Sequence, residues 1–138
     1  SSGSHLASAA IASDWSGEGF GELPYAAAFL ASGMYDLLPV SLSKRSEYVR
    51  FAPSTIEQLS AQRHVRFFKA PTIVACGTCE TPEFRRQARD FAAALRAAKQ
   101  PAAYIEAEGY NHYEILESFS NPFSPVGRAL LRQAAIRG

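Results

Sequence analysis

The stretch Pro71-Thr-Ile-Val-Ala-Cys-Gly-Thr-Cys-Glu-Thr-Pro-Glu-Phe84 decides the fold. Its β-branched run Thr72, Ile73 and Val74 suits a strand over 72–76 and leads to Gly77. Thr81 has the chemistry of a helix N-cap and Pro82 that of a first helical residue. From Pro82 to Lys99, Phe84, Ala88, Phe91 and Leu95 recur at helical spacing and make one apolar face, with Arg85, Arg89 and Arg96 turned elsewhere. Strand, glycine, then capped helix is half of a β-α-β unit. Glu80 falls just past the carboxyl end of that strand, the edge where open α/β sheets bind ligands.

Working outward, Gly3 to Ser13 reads as a short Ala- and Ser-rich helix, and the glycines of Asp14 to Pro24 mark a surface loop. Tyr25 to Ala31 is an apolar run between breakers, read as a buried strand although period alone would also allow a helical turn. Gly33 to Pro39 reads as a loop, and Ser43 to Val49 as a short helix. Ser54-Thr-Ile-Glu57 has capping-box spacing and places a helix from Thr55 to about Arg63. Ala102 to Ala107 is a third strand, Tyr113 to Phe119 is helical, and a last helix runs from Pro125, capped by Ser124, to about Ile136. Strands alternating with helices predict an α/β fold, a parallel sheet covered on both faces. Three short strands bury too little for so apolar a chain, so residues 1–138 read as part of a domain.

The totals narrow the function classes. Apolar residues at 47% suit a packed core rather than a disordered chain. A net charge of +1, with no basic stripe interleaved with aromatics, argues against nucleic acid as a partner. No apolar run approaches the roughly 20 residues that span a bilayer, so no membrane association is expected. Two cysteines are too few for a disulfide scaffold and point to a reducing, cytoplasmic setting. The three histidines are far apart and form no metal-ligand spacing, and no glycine-rich phosphate loop occurs, so neither metal nor cofactor is expected.

Four pieces, Ser1-Ser-Gly-Ser-His-Leu-Ala7, Ser32-Gly-Met-Tyr-Asp-Leu37, Gly77-Thr-Cys-Glu-Thr-Pro-Glu-Phe84 with Arg86-Gln87, and Asn111-His-Tyr-Glu114, follow one another along nearly the whole chain. Together they resemble the C-terminal half of an α/β-hydrolase, nearest to kynurenine formamidase (arylformamidase)-like enzymes and neighbouring carboxylesterases. The resemblance implies a serine hydrolase acting on a small-molecule ester, amide or formamide, with a triad in the chain order serine, acid, histidine. Ser1-Ser2-Gly3 matches the second half of the Gly-x-Ser-x-Gly elbow, which puts the nucleophile on Ser1 and one oxyanion-hole N–H on Ser2. The first half of the motif would lie before residue 1. Glu80 falls on the acid and His112, in a loop after the last strand, on the general base.

Several residues compete for these roles. Asp36 also follows a strand and could be the acid, whereas Glu83 reads as a first-turn charge, His5 lies inside the first helix, and His64 follows a helix with no partner spacing. Ser-Ser-Gly-Ser-His also matches a tag remnant, although it runs without a seam into the first helix. Cys76-Gly-Thr-Cys79 between strand and helix offers a thioredoxin-like redox reading, and a catalytically silent hydrolase relative is a third. On the hydrolase reading a companion N-terminal polypeptide of the same precursor, cut just before Ser1, supplies the rest of the sheet, and homo-oligomers are possible. Trp15, Tyr35, Phe51, Tyr110 and Tyr113 are expected to edge the pocket.

Overall fold

The structure is a computed structural model that describes residues 1–19 and 25–135. Helix α1 (Ser2–Ile11) leads to strand β1 (Ala28–Ala31), followed by helix α2 (Leu37–Ser41) and helix α3 (Pro53–Leu59). Strand β2 (Thr72–Gly77), helix α4 (Pro82–Ala97) and strand β3 (Ala102–Ala107) complete the central unit. Helix α5 (Glu114–Glu117) and helix α6 (Pro125–Ala135) close the described chain, with 3-10 turns at Lys44–Glu47, Ala61–Arg63, Val65–Phe67 and Ser118–Ser120. Part of the expected 14–24 loop and the end of the last helix at Ile136 lie outside the described residues.

The three strands form one parallel sheet in the order β1-β2-β3, in register Ala28↔Thr72↔Ala102. Side chains alternate across a strand, and here both faces are covered. Leu30, Val74 and Cys76 face one core together with Ile11 and with Ala88, Phe91 and Leu95 of α4. Ala31, Ala75 and Ala107 face the other, with Ile115 and Val126. No described helix is long and apolar enough to cross a membrane.

Phe91 anchors the larger core. Its ring stacks on Tyr35 at 4.3 Å and meets Phe68 edge-on at 5.2 Å, and all three are fully buried. Phe91→Ala is expected to cost about 3–5 kcal/mol, the range for truncating a buried aromatic. The urea midpoint of the full-length protein would fall with an unchanged m-value.

Local structure departs from the sequence reading in several places. Leu37 to Pro39, expected as the end of a loop, open helix α2, and Asp36 caps it by accepting from the Leu38 N–H at 3.0 Å. Pro39 is tolerated there because first-turn N–H groups have no intrahelical partner. The Ser54–Glu57 capping box does not form: Pro53 takes the first helical position, Ala52 becomes the N-cap, and Glu57 pairs with Arg63 instead. Tyr35 does not edge a pocket; burial in the aromatic stack pushes its hydroxyl pKa well up.

Candidate active site

Glu80 occupies the position the sequence assigned to it, in the turn between β2 and α4. Its carboxyl group is fully enclosed and accepts three hydrogen bonds. Oε1 receives the Gly77 N–H at 2.8 Å and the Ser32 hydroxyl at 2.6 Å, while Oε2 lies 2.6 Å from Nδ1 of His112. The bond to Oε2 puts the His112 proton on Nδ1 and leaves Nε2 as the basic nitrogen. Among the described residues Nε2 has no hydrogen bond of its own, and the ring keeps 24% of its exposure. A buried carboxylate behind a half-open imidazole is an arrangement suited to proton transfer.

Two backbone devices bring these side chains together. The turn after β2 is laced to the segment before His112 by Thr78 N–H to Ala107 O at 3.0 Å, Cys79 N–H to Tyr110 O at 3.0 Å, and Gly109 N–H to Thr78 Oγ1 at 2.8 Å. Gly77 permits that approach, since a Cβ there would lie 2.0 Å from the Tyr110 carbonyl oxygen. Asn111 and Glu114 then grip the histidine turn from both sides. Asn111 Oδ1 accepts the N–H groups of Tyr113 and Glu114, and Glu114 Oε2 accepts that of Asn111 at 2.9 Å. This reciprocal pattern has the logic of a capping box and fixes the backbone on either side of His112.

Phe84 was read as part of the helix's core-facing stripe. Its ring instead lies 4.3 Å from the His112 ring and forms one wall of a cavity of about 150 Å³ with Met34, Pro39, Val40, Thr81 and Gln87. Gln87 is buried and ties the loop after β1 to α4. Its Oε1 accepts the N–H groups of Tyr35 at 2.7 Å and Asp36 at 2.9 Å, and its Nε2 donates to Asp36 O at 3.1 Å. Of the remaining expected rim, Tyr113 is exposed and meets the His112 ring edge-on at 5.7 Å, and Tyr110 packs in the smaller core.

The competitors have other tasks. Asp36 caps α2 and faces Arg63 at 3.7 Å. Glu83 is held below the usual carboxylate range, first by its two hydrogen bonds from Arg86. His5 Nε2 lies 3.1 Å from Leu59 O and His64 Nε2 lies 2.7 Å from Glu57 O. Cys76 is a fully buried strand residue 3.3 Å from the Tyr104 hydroxyl, and burial pushes its thiol up. Cys79 is exposed and both thiols are free. A redox pair needs a lowered thiol at a helix start, and Cys76 is the opposite.

Ser1 is the N-cap of α1, and Ser2 is its first helical residue. The Ser1 nitrogen lies 3.4 Å from Ala31 O, and the same oxygen accepts the Ser4 hydroxyl at 2.7 Å. The helix start thus docks at the carboxyl end of β1, one residue from the Ser32 that holds Glu80. Among the described residues the Ser1 hydroxyl has no hydrogen bond, so no direct Ser1–His112 bond is formed.

Solved structures share this fold. Thermogutta terrifontis esterase 2, phosphoramylated by tabun, superposes with a TM-score of 0.62 at 21% identity, covering 96% of this chain and 49% of the esterase. The native form of that esterase gives 0.63 at 19% identity over 98% and 50%. The chain carries the C-terminal half of an α/β-hydrolase fold. Among sequence relatives, kynurenine formamidase of Salmo salar is 30% identical over 124 residues, 85% of this chain and 42% of the relative. The Danio rerio kynurenine formamidase is 27% identical over 137 residues, 96% of this chain and 46% of the relative. This α/β-hydrolase half therefore spans less than half the length of either formamidase. No protein-family model matches it.

Proposed function

We propose that the chain supplies the histidine and acid, and with Ser1 the nucleophile, of a hydrolase that cleaves a small-molecule ester or formamide. The observation that carries the reading is the 2.6 Å bond between buried Glu80 Oε2 and His112 Nδ1. It is supported by the hydrolase fold and by relatives named as formamidases and esterases.

In the proposed reaction Ser1 Oγ attacks the carbonyl carbon and its proton passes to His112 Nε2. The Ser2 N–H, at the start of α1, donates to the oxyanion of the tetrahedral intermediate. His112 then returns the proton to the leaving oxygen or nitrogen, and water activated by the same nitrogen releases the acid product. Glu80 holds the Nδ1–H tautomer throughout and offsets the imidazolium charge. The cavity walled by Phe84 would take the apolar part of the substrate. No metal or cofactor enters these steps.

A polypeptide N-terminal to Ser1 in the same precursor would supply the strand that presents Ser1 and the second oxyanion donor. Two features support this. β1 pairs only with β2 among the described residues, leaving its other edge open. Leu6 of α1 is also 71% exposed. The test uses the full-length precursor with a fluorophosphonate, the probe class suggested by the tabun adduct on the solved esterase. Peptide mapping is expected to find the adduct on Ser1, with matching loss of p-nitrophenyl acetate and aryl formamide turnover. An adduct elsewhere, or turnover that survives full labelling, would overturn the assignment of the nucleophile.

A further inference from the structure

Ser32 has no role in the chemistry just described, yet its environment is built for one. It is fully buried, follows the last residue of β1 and has a φ of 53°, the left-handed region that a non-glycine side chain adopts only at a cost. The strain is held in place from both sides. The Ser32 N–H donates to Ala75 O at 2.9 Å, which extends the β1–β2 ladder by one residue. On the other side Gly33 lies under the Tyr35 ring, where a Cβ would meet ring carbons at 2.6 Å. Tyr35 is fixed in turn by its stack on Phe91 and by Gln87. This left-handed turn leaves the Ser32 hydroxyl 2.6 Å from Glu80 Oε1.

We infer that Ser32 is a positioning residue for the proposed hydrolysis: its hydroxyl, with the Gly77 N–H, occupies Glu80 Oε1 and thereby reserves Oε2 for His112. A carboxylate that turned about its terminal torsion could share either oxygen with the imidazole, and χ3 of glutamate is a soft torsion. Two donors on one oxygen, one from the residue after β1 and one from the end of β2, remove that freedom. A hydrogen bond to a charged acceptor is also among the stronger ones available to a neutral hydroxyl. The other titratable side chains that feel the Glu80 charge, Tyr35 and Cys76, are engaged elsewhere: the Tyr35 hydroxyl donates to Leu30 O at 3.3 Å and the Cys76 thiol lies 3.3 Å from the Tyr104 hydroxyl, so neither replaces the serine.

The inference rests on the Glu80–His112 reading, and the experiment separates the two. In the full-length enzyme, Ser32→Ala and Ser32→Gly both remove the hydroxyl, while only glycine relieves the positive φ. Both are expected to lower kcat about 10- to 100-fold with KM nearly unchanged, the range of a lost charge-assisted bond. The downfield His112 Nδ1–H proton resonance should shift in both variants. Normal kcat and resonance in Ser32→Ala and Ser32→Gly, with His112→Ala inactive, would overturn the role of Ser32 alone. Impairment in Ser32→Ala that Ser32→Gly restores would overturn it in favour of backbone strain. An active His112→Ala would overturn the parent reading instead.

Discussion

Replacing His112 with alanine is expected to lower kcat of the full-length enzyme by about 10⁴- to 10⁶-fold, as removal of the base in serine hydrolases does. The loss is large because nothing nearby can substitute. His5 and His64 have ring nitrogens against the backbone carbonyls of Leu59 and Glu57 in α3, and Glu80 faces inward. Stability should change little. The ring is partly exposed, and Glu80 keeps the Ser32 hydroxyl and the Gly77 N–H when its third donor is removed. Paired measurement of kcat and Tm on the same sample makes the test specific. Activity within about tenfold of wild type would exclude His112 as the base, whatever the Tm.

The positions of Glu80 and His112 were legible because each is announced by backbone punctuation. Gly77, Thr81 and Pro82 mark where a strand ends and a helix begins, and only a short turn fits between, so Glu80 could fall nowhere but the sheet edge. Thr81 is the N-cap as expected, though its side chain makes no capping bond. The three strands and the amphipathic α4 were equally plain, since their periodicity is strong. What escaped were residues whose meaning depends on a partner distant in sequence. Ser32 bonds across 48 positions, and nothing local announces its left-handed backbone. A reader would assign positive φ to Gly33, yet that glycine is required by the Tyr35 ring instead.

Tyr35 and Phe84 exchanged places for a related reason. Composition places aromatics in loops at pocket rims and aromatics on an apolar stripe in the core. Here the loop after β1 turns inward and is pinned by Gln87, which buries Tyr35 against Phe91. Phe84, in the first turn of α4, lies beyond the end of the sheet that the rest of the stripe covers, and is left beside His112. The Asn111–Glu114 pair is the one missed device with a local signal. An Asn followed three residues later by Glu is the spacing of a capping box, and it brackets His112.

Glu80→Gln separates positioning of the histidine from mere occupancy of the acid site, and kcat is expected to fall about 10³- to 10⁴-fold. The argument is a count of donors. Glu80 now accepts from three, the Gly77 N–H and Ser32 hydroxyl on Oε1 and the His112 Nδ1–H on Oε2. Glutamine offers one acceptor oxygen and one donor NH₂ group. If the oxygen stays with Gly77 and Ser32, the NH₂ faces Nδ1 and forces the proton onto Nε2, the nitrogen that accepts the Ser1 proton in the proposed reaction. If the amide flips, its NH₂ confronts the Gly77 N–H, which cannot reverse as the Ser32 hydroxyl can. A buried donor is then left unsatisfied, at about 1–3 kcal/mol. The first arrangement is the cheaper, so the variant should fold with a small drop in Tm and lose turnover through the wrong tautomer. Nitrogen chemical shifts of the His112 ring report that directly. A variant with Nδ1 still protonated and kcat near wild type would remove Glu80 from the mechanism, and its burial would then be purely structural.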